Sequence, residues 1–201
     1  MSEPAPSRPP AGTSRYTWIV GVVAVLALAY ITLNTLGADK PGSRGVPDGK
    51  PLPPFAVPLA TSKLVGDAQV DPKKACKVRG GDILNSCQLA ERGPVVLAFF
   101  ATRSKRCEDQ IDVLERVRRR FPDVGFAAVS VRGDRGDVRR LVQTRGWEMA
   151  VGYDHDGAVS NAYAVAICPT ITFARRGGTV ADTSFSLLDE AALTKRVEAL
   201  R

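Results

Sequence analysis

Four cysteines, Cys76, Cys87, Cys107 and Cys168, are the residues of this 201-residue chain best suited to chemistry, and a single histidine, His155, accompanies them. Thiols can ligate a metal, attack as nucleophiles or be oxidised in pairs. With one His, a His-based metal site or a Cys-His-Asp triad has little to work with, and the cysteine spacing lacks the second ligand pair of a zinc site, so no metal ligand is assigned. Cys76 and Cys87 stand either side of Arg79-Gly80-Gly81-Asp82. A turn there folds the flanking segments back to back and brings the two within reach of one another. A structural disulfide is the main reading of this pair, and two unpaired buried thiols are the alternative. Cys107 follows Arg103, Lys105 and Arg106 near the start of a helix, surroundings that favour a thiolate. Its place on the inward stripe of that helix equally suits a small core residue.

The elements that must position these residues follow from hydrophobic period. Val95 to Phe100 is a short apolar run entered through Gly93-Pro94, as in a strand buried on both faces. From Ser104 to Arg120 the apolar positions Cys107, Ile111, Leu114 and Val117 recur at three and four, and Phe121-Pro122-Asp123 ends the helix. A second buried strand is expected over Val124–Val131, a helix over Asp137–Arg145 closed by Gly146, a short strand over Ala150–Tyr153 and a short helix over Ala158–Val165. Thr170–Ala174 and Thr179–Leu187 flank Arg175-Arg176-Gly177-Gly178 as a hairpin, and Asp189 caps a closing helix that reaches Leu200. Alternation first and a hairpin last implies an α/β domain, a mixed sheet with helices on both faces.

Other residues read as structural. Arg116, Arg118, Arg119 and Arg120 form a solvated charge run at a helix end. Asp154, His155 and Asp156 precede Gly157 as a turn and cap, Trp147 packs, and Gly133-Asp134-Arg135-Gly136 lacks the grammar of a phosphate loop.

Lys and Arg (28) exceed Asp and Glu (21), a net charge of +7, but the basic residues are scattered along the chain, so no nucleic-acid partner is expected. Trp18 to Leu36 carries no charge. At about 1.5 Å per residue its nineteen residues span roughly 28 Å, enough for the hydrocarbon core of a bilayer. The organisation expected is a cytoplasmic tail over 1–15, a transmembrane helix over 16–37, a Pro- and Gly-rich tether over 38–54 and one folded domain over 55–201. All four cysteines follow the span, an even count that suits an oxidising compartment, and this places the domain outside the cell membrane.

Three stretches carry a family resemblance over roughly residues 51–200. Phe99-Phe100-Ala101-Thr102-Arg103-Ser104-Lys105-Arg106-Cys107 looks like F-W-A-T-W-C-G-P-C, and Tyr163-Ala164-Val165-Ala166-Ile167-Cys168-Pro169-Thr170-Ile171-Thr172-Phe173 looks like Y-x-V-x-x-x-P-T-x-F, with the Gly177-Gly178 turn behind it. The chain thus resembles the thioredoxin superfamily, most closely its membrane-tethered TlpA/ResA-like thiol-disulfide branch. That resemblance implies a thioredoxin fold, a cis peptide before Pro169 and no cofactor. It also exposes a departure: the first, nucleophilic Cys of C-x-x-C aligns with Ser104, whose hydroxyl stays protonated near neutral pH and cannot form a disulfide.

The resemblance then implies that Cys107 and Cys168 face each other across the site, either as a bond between the first helix and the cis-Pro loop or as a relocated redox pair. Pro169 and Thr170, with Arg103, would meet substrate. The function implied is thiol-disulfide exchange with extracytoplasmic protein thiols or disulfides, or with a redox partner protein. Two rivals stand beside it. A peroxiredoxin-like thiol peroxidase would use Cys107 as peroxidatic thiol with Ser104 three positions before it, although the motif's Pro is Phe100 here. A redox-inert binding or scaffold module would keep the fold without the chemistry.

Overall fold

The computed structural model describes residues 17–37 and 45–201, so the expected tail over 1–15 lies outside the described residues. It divides into two units, each described by itself. The first is helix α1 (Thr17–Gly37), 21 residues with no charged side chain. Its described side chains are exposed, Trp18, Val20, Leu26 and Tyr30 among them. Counted over the residues whose side chains are described, no helix is long and apolar enough to cross a membrane.

The second unit is built on a five-stranded sheet in the order β5-β4-β3-β6-β7. The strands are β3 (Val95–Ala101), β4 (Gly125–Arg132), β5 (Ala150–Tyr153), β6 (Thr170–Ala174) and β7 (Val180–Ser184). β3, β4 and β5 are parallel; β6 runs antiparallel to β3, and β7 antiparallel to β6. Because side chains alternate along a strand, β3 feeds two cores. Val96, Ala98 and Phe100 join Ile111, Leu114, Val138, Trp147 and Leu193 on one face. Val95, Leu97 and Phe99 join Phe55, Val57, Val159 and Tyr163 on the other. This is an α/β thioredoxin-like fold with helices on both faces of a mixed sheet.

The helices that matter to the site are α3 (Lys105–Arg118), α4 (Arg135–Arg145), α5 (Ala158–Ala162) and α6 (Glu190–Glu198). α4 starts earlier than its apolar stripe suggests, because the side chain of Asp134 accepts the Asp137 backbone N–H at 2.9 Å and caps it there. Gly146, at φ 67°, closes α4 in the left-handed conformation that glycine adopts without a Cβ clash. α5 stops at Ala162 rather than Val165. The buried Tyr163 ties the chain down there, its hydroxyl donating to Pro53 O at 2.9 Å, and Ala164 turns to φ 48°.

Two regions depart from the sequence reading. Residues 38–44 of the expected tether lie outside the described residues, but 45–54 lie on the domain, where Gly49 N–H donates to Val180 O and Leu52 N–H to Gly178 O, each at 2.8 Å. Val46 and Leu52 are buried. These two apolar side chains and the open edge of β7 outweigh a composition rich in Pro and Gly.

The stretch between Cys76 and Cys87 is not a simple hairpin either. A 3-10 turn (Ala75–Lys77) leads through the glycines into β2 (Ile83–Asn85), which pairs with β1 (Ala56–Pro58) and runs directly into α2 (Ser86–Arg92). Asn85 organises this corner. Its side chain accepts the Gln88 N–H as the cap of α2 and donates to the Ala75 and Val78 carbonyls, both at 2.8 Å.

Candidate functional site

The register of β3 against β6 builds the site. Phe99 near the end of β3 stands opposite Thr170 at the start of β6. The chain leaving β3 therefore lies beside the chain entering β6: the first is the entry to α3 with Cys107 in its opening turn, the second carries Cys168. The two cysteines are disulfide-bonded, with Cα atoms 5.8 Å apart and a sequence separation of 61. The peptide joining Cys168 to Pro169 is cis. Cys76 and Cys87 form the other disulfide, with Cα atoms 5.4 Å apart, fastening the 3-10 turn to α2 on a different part of the molecule. Among the described residues there is no free cysteine and no cluster of His, Cys, Asp and Glu fit to hold a metal ion.

The two sulfurs of the Cys107–Cys168 bond are not equivalent. Cys107 is 2% exposed and belongs to the core cluster of Ile111, Leu114 and Phe100. Cys168 is only half-buried and follows Ala166 and Ile167, of which Ile167 is 51% exposed. Pro169 and Thr170 behind it are buried, and the Thr170 hydroxyl donates to Ile167 O at 2.7 Å, closing a turn around Cys168 and Pro169. The hydroxyl is thus engaged within the loop and is not turned outward.

Ser104 is the residue before α3, where a Ser ordinarily accepts a backbone N–H as a cap. It does not do so here. Its Oγ lies 3.1 Å from Cys107 Sγ and donates to it. The incoming chain is held instead by Glu108, whose Oε1 accepts the Arg103 N–H at 2.8 Å. Arg103 itself is at φ 62° and exposed, and its guanidinium reaches Asp137 at 2.9 Å and not the sulfurs. Residues in the left-handed region cost of order 1–3 kcal/mol each unless glycine. Arg103 and Ala164 are the two non-glycine residues with positive φ among those described, and each lies four residues before one cysteine of the disulfide.

Beside Ser104 a hollow of about 460 Å³ opens between the β3–α3 and β4–α4 loops, lined by Thr102, Arg103, Arg132, Gly133, Asp134 and Asp137 among others. The Asp134 carboxyl is held below its ordinary range, chiefly by the Asp137 backbone N–H it accepts. Three supporting residues escaped the sequence reading. Besides Glu108 and Asp137, Gln110 is buried one turn beyond Cys107, donating to Leu188 O at 3.0 Å and accepting the Leu188 N–H at 2.7 Å. That clamp fixes the opening of α3 to the loop before α6. A Gln on the inward face of an amphipathic helix is the signal that could have located it, since a buried amide needs partners.

Trp147 does pack, edge-on to Phe100, with its indole N–H donating to Asp112 at 2.7 Å. His155 lies 3.0 Å from Asp67 on the surface, and Asp154 accepts the Val159 and Ser160 N–H groups at the start of α5.

Known proteins place this architecture. No curated protein matches the sequence. Among solved structures the chain is similar to a secreted Mycobacterium tuberculosis disulfide oxidoreductase homologous to E. coli DsbE, at 25% identity and TM-score 0.55, over 60% of this chain and 90% of that one. It is similar in fold to a thioredoxin-family thiol:disulfide interchange protein from Chlorobium tepidum, at 15% identity and TM-score 0.61, over 77% and 98% of the two chains. It is also similar in fold to the peroxidoxin BcpB of M. tuberculosis, at 17% identity and TM-score 0.57, over 79% and 97%. The AhpC/TSA family model matches residues 52–183, well over half of the sequence. With that match, on a thioredoxin-like fold, the chain belongs to the AhpC/TSA family.

Proposed function

We propose that the domain is a thiol-disulfide oxidoreductase whose working pair is Cys107 and Cys168. The observation that carries the reading is the bond itself: it joins the opening turn of α3 to the residue before the cis proline, and one of its two residues, Cys168, is only half-buried. A C-x-x-C dithiol is unavailable because position 104 is Ser, so dithiol-disulfide cycling at this site must pass through this pair. In the oxidising direction two substrate thiols become a disulfide while Cys107 and Cys168 are reduced to thiols; in the reducing direction the same exchanges run backwards. A solved structure similar to this chain at 25% identity is that of a disulfide oxidoreductase, which supports the reading.

The N-terminal part of the proposal rests on the sequence. Counted over the full sequence, which includes residues whose side chains are not described, Trp18 to Leu36 is nineteen uncharged residues long, and on that count it is proposed as a single-pass anchor with residues 1–15 on the cytoplasmic side and the disulfide-bonded domain outside. Partners are then extracytoplasmic proteins bearing thiols or disulfides. The test is oxidation of a dithiol peptide by the full-length protein in mild detergent. Wild type and Cys76→Ala/Cys87→Ala oxidise it, one dithiol for each Cys107–Cys168 bond, and Cys107→Ala/Cys168→Ala does not. Activity that survives loss of Cys107 and Cys168, or none in wild type, defeats the proposal, the latter in favour of a scaffold.

One observation favours peroxidase chemistry as a second reading: the Ser104 hydroxyl lies 3.1 Å from Cys107 Sγ, three positions before the thiol that would be oxidised. Hydrogen peroxide consumption by the reduced protein, lost in Cys107→Ala, is its signature.

A further inference from the structure

We propose that Cys168, and not Cys107, is the sulfur that exchanges with substrate, and that the Ser104 hydroxyl holds the Cys107 thiolate which the exchange releases. This rests on the redox reading above and assigns the two ends of its pair.

Access comes first. An incoming thiolate must approach one sulfur along the S–S bond. Cys107 is 2% exposed and walled in by core side chains, whereas Cys168 is half-buried and adjoins the exposed Ile167. Cys168, the less buried of the two, is the end that an incoming thiolate meets first.

The destination of the charge points the same way. When the bond opens, the sulfur not attacked leaves with the electron pair, and a leaving sulfur whose anion is stabilised departs faster. At Cys107 the neighbours are donors: the Ser104 hydroxyl at 3.1 Å and the start of a 14-residue helix. At Cys168 the neighbour is an acceptor, Phe99 O, 3.9 Å from the sulfur. A carbonyl oxygen favours a protonated or bonded sulfur and opposes a thiolate. Ser104 supports this with its unused capping role, since its hydroxyl makes no cap bond to the helix while Glu108 secures the Arg103 N–H.

In the first step a substrate thiolate attacks Cys168 Sγ, a mixed disulfide forms there, and Cys107 leaves as a thiolate. In the second step the other substrate thiolate attacks the substrate's own sulfur in the mixed disulfide and Cys168 leaves, taking up a proton. The substrate dithiol has lost two electrons and the protein pair has gained them. Reduction of a substrate disulfide is the reverse, with Cys168 as nucleophile and Cys107 as the resolving thiol.

The experiment uses the oxidised full-length protein with reduced glutathione as probe, acid quench and peptide mapping. The glutathione adduct is expected on Cys168. An adduct on Cys107 overturns this inference while leaving the redox reading intact, and a bond that glutathione never opens defeats both. As a second measurement, the reduced single-thiol variants are treated with an aromatic disulfide. Compared at a pH high enough to ionise both thiols, so that access alone separates them, Cys107→Ala, which keeps Cys168, reacts faster than Cys168→Ala, and equal or reversed rates refute the assignment.

For Ser104 the readout is the thiolate absorbance of Cys107 against pH in the Cys168→Ala background. Ser104→Ala shifts that titration upward, slows opening of the otherwise wild-type bond by up to about tenfold, and Ser104→Thr restores both. A titration that Ser104→Ala leaves in place removes Ser104 from the account.

Discussion

Loss of the Cys76–Cys87 bond should destabilise the domain without touching its chemistry. The bond spans a sequence separation of 11, and loop-closure entropy for roughly 12 residues is worth about 2.8 kcal/mol at 25 °C. The folded state loses little of its own when both residues become alanine, because Cys76 and Cys87 are only half-buried. Asn85 continues to hold the same corner through its bonds to Ala75 O and Val78 O. The effect therefore works mainly on the unfolded chain. At about 2–4 °C per kcal/mol for a domain of this size, Cys76→Ala/Cys87→Ala should lower Tm by roughly 6–11 °C. Circular dichroism melts of both proteins, with and without a thiol reductant, measure it, and reductant should move wild type further than the variant. A shift below about 2 °C would refute the loop-closure reasoning, and loss of dithiol oxidation in this variant would show that the wrong pair has been called structural.

Further outcomes are expected from other parts of the fold. Ser104→Cys sets a second thiol in bonding reach of Cys107, where Oγ now stands 3.1 Å away; the new thiol should compete with Cys168 in peptide maps and confer insulin reduction, and an inert variant means the site is occluded. Gly152→Ala places a Cβ 2.5 Å from Val57 Cγ2 and 3.0 Å from Leu84 Cδ2, so β5 or the β1–β2 pair must shift; a cost of about 1–3 kcal/mol is expected in urea unfolding, and a neutral result would show that the packing there yields. The lowered Asp134 carboxyl contributes stability that is present above its unfolded value and lost as pH falls through its lower folded value. The stability difference between wild type and Asp134→Asn should therefore shrink on acidification, and a difference that grows would contradict the cap.

Much of this arrangement was legible in the residues. The run Val95–Phe100, entered through Gly93-Pro94, fits a strand buried on both faces, and the three–four spacing from Cys107 to Val117 is the stripe of a helix that buries one side. The order of those elements, with the likeness to known motifs, was enough to set Cys107 against Cys168. What stayed hidden was structure made by tertiary contact. β1 and β2 are three residues each, too short for a period to show, and segment 45–54 is held by backbone bonds to β7 that composition does not record. Within the site, the direction of a hydroxyl decides its role. In the sequence Ser104 stands where the nucleophilic Cys would be, or three positions before a peroxidatic thiol, and neither reading says which way its hydroxyl turns; in the structure it faces Cys107 Sγ and makes no cap bond.

The central claim is that Cys107–Cys168 is a working bond and Cys76–Cys87 a structural one. The most direct test equilibrates the full-length protein in a graded series of glutathione redox buffers, traps free thiols and maps both pairs. Cys107–Cys168 is predicted to open and close within the glutathione range while Cys76–Cys87 stays closed throughout. If Cys107–Cys168 opens only under strong reductant, together with Cys76–Cys87 or after it, the pair is a structural staple and the oxidoreductase account is wrong.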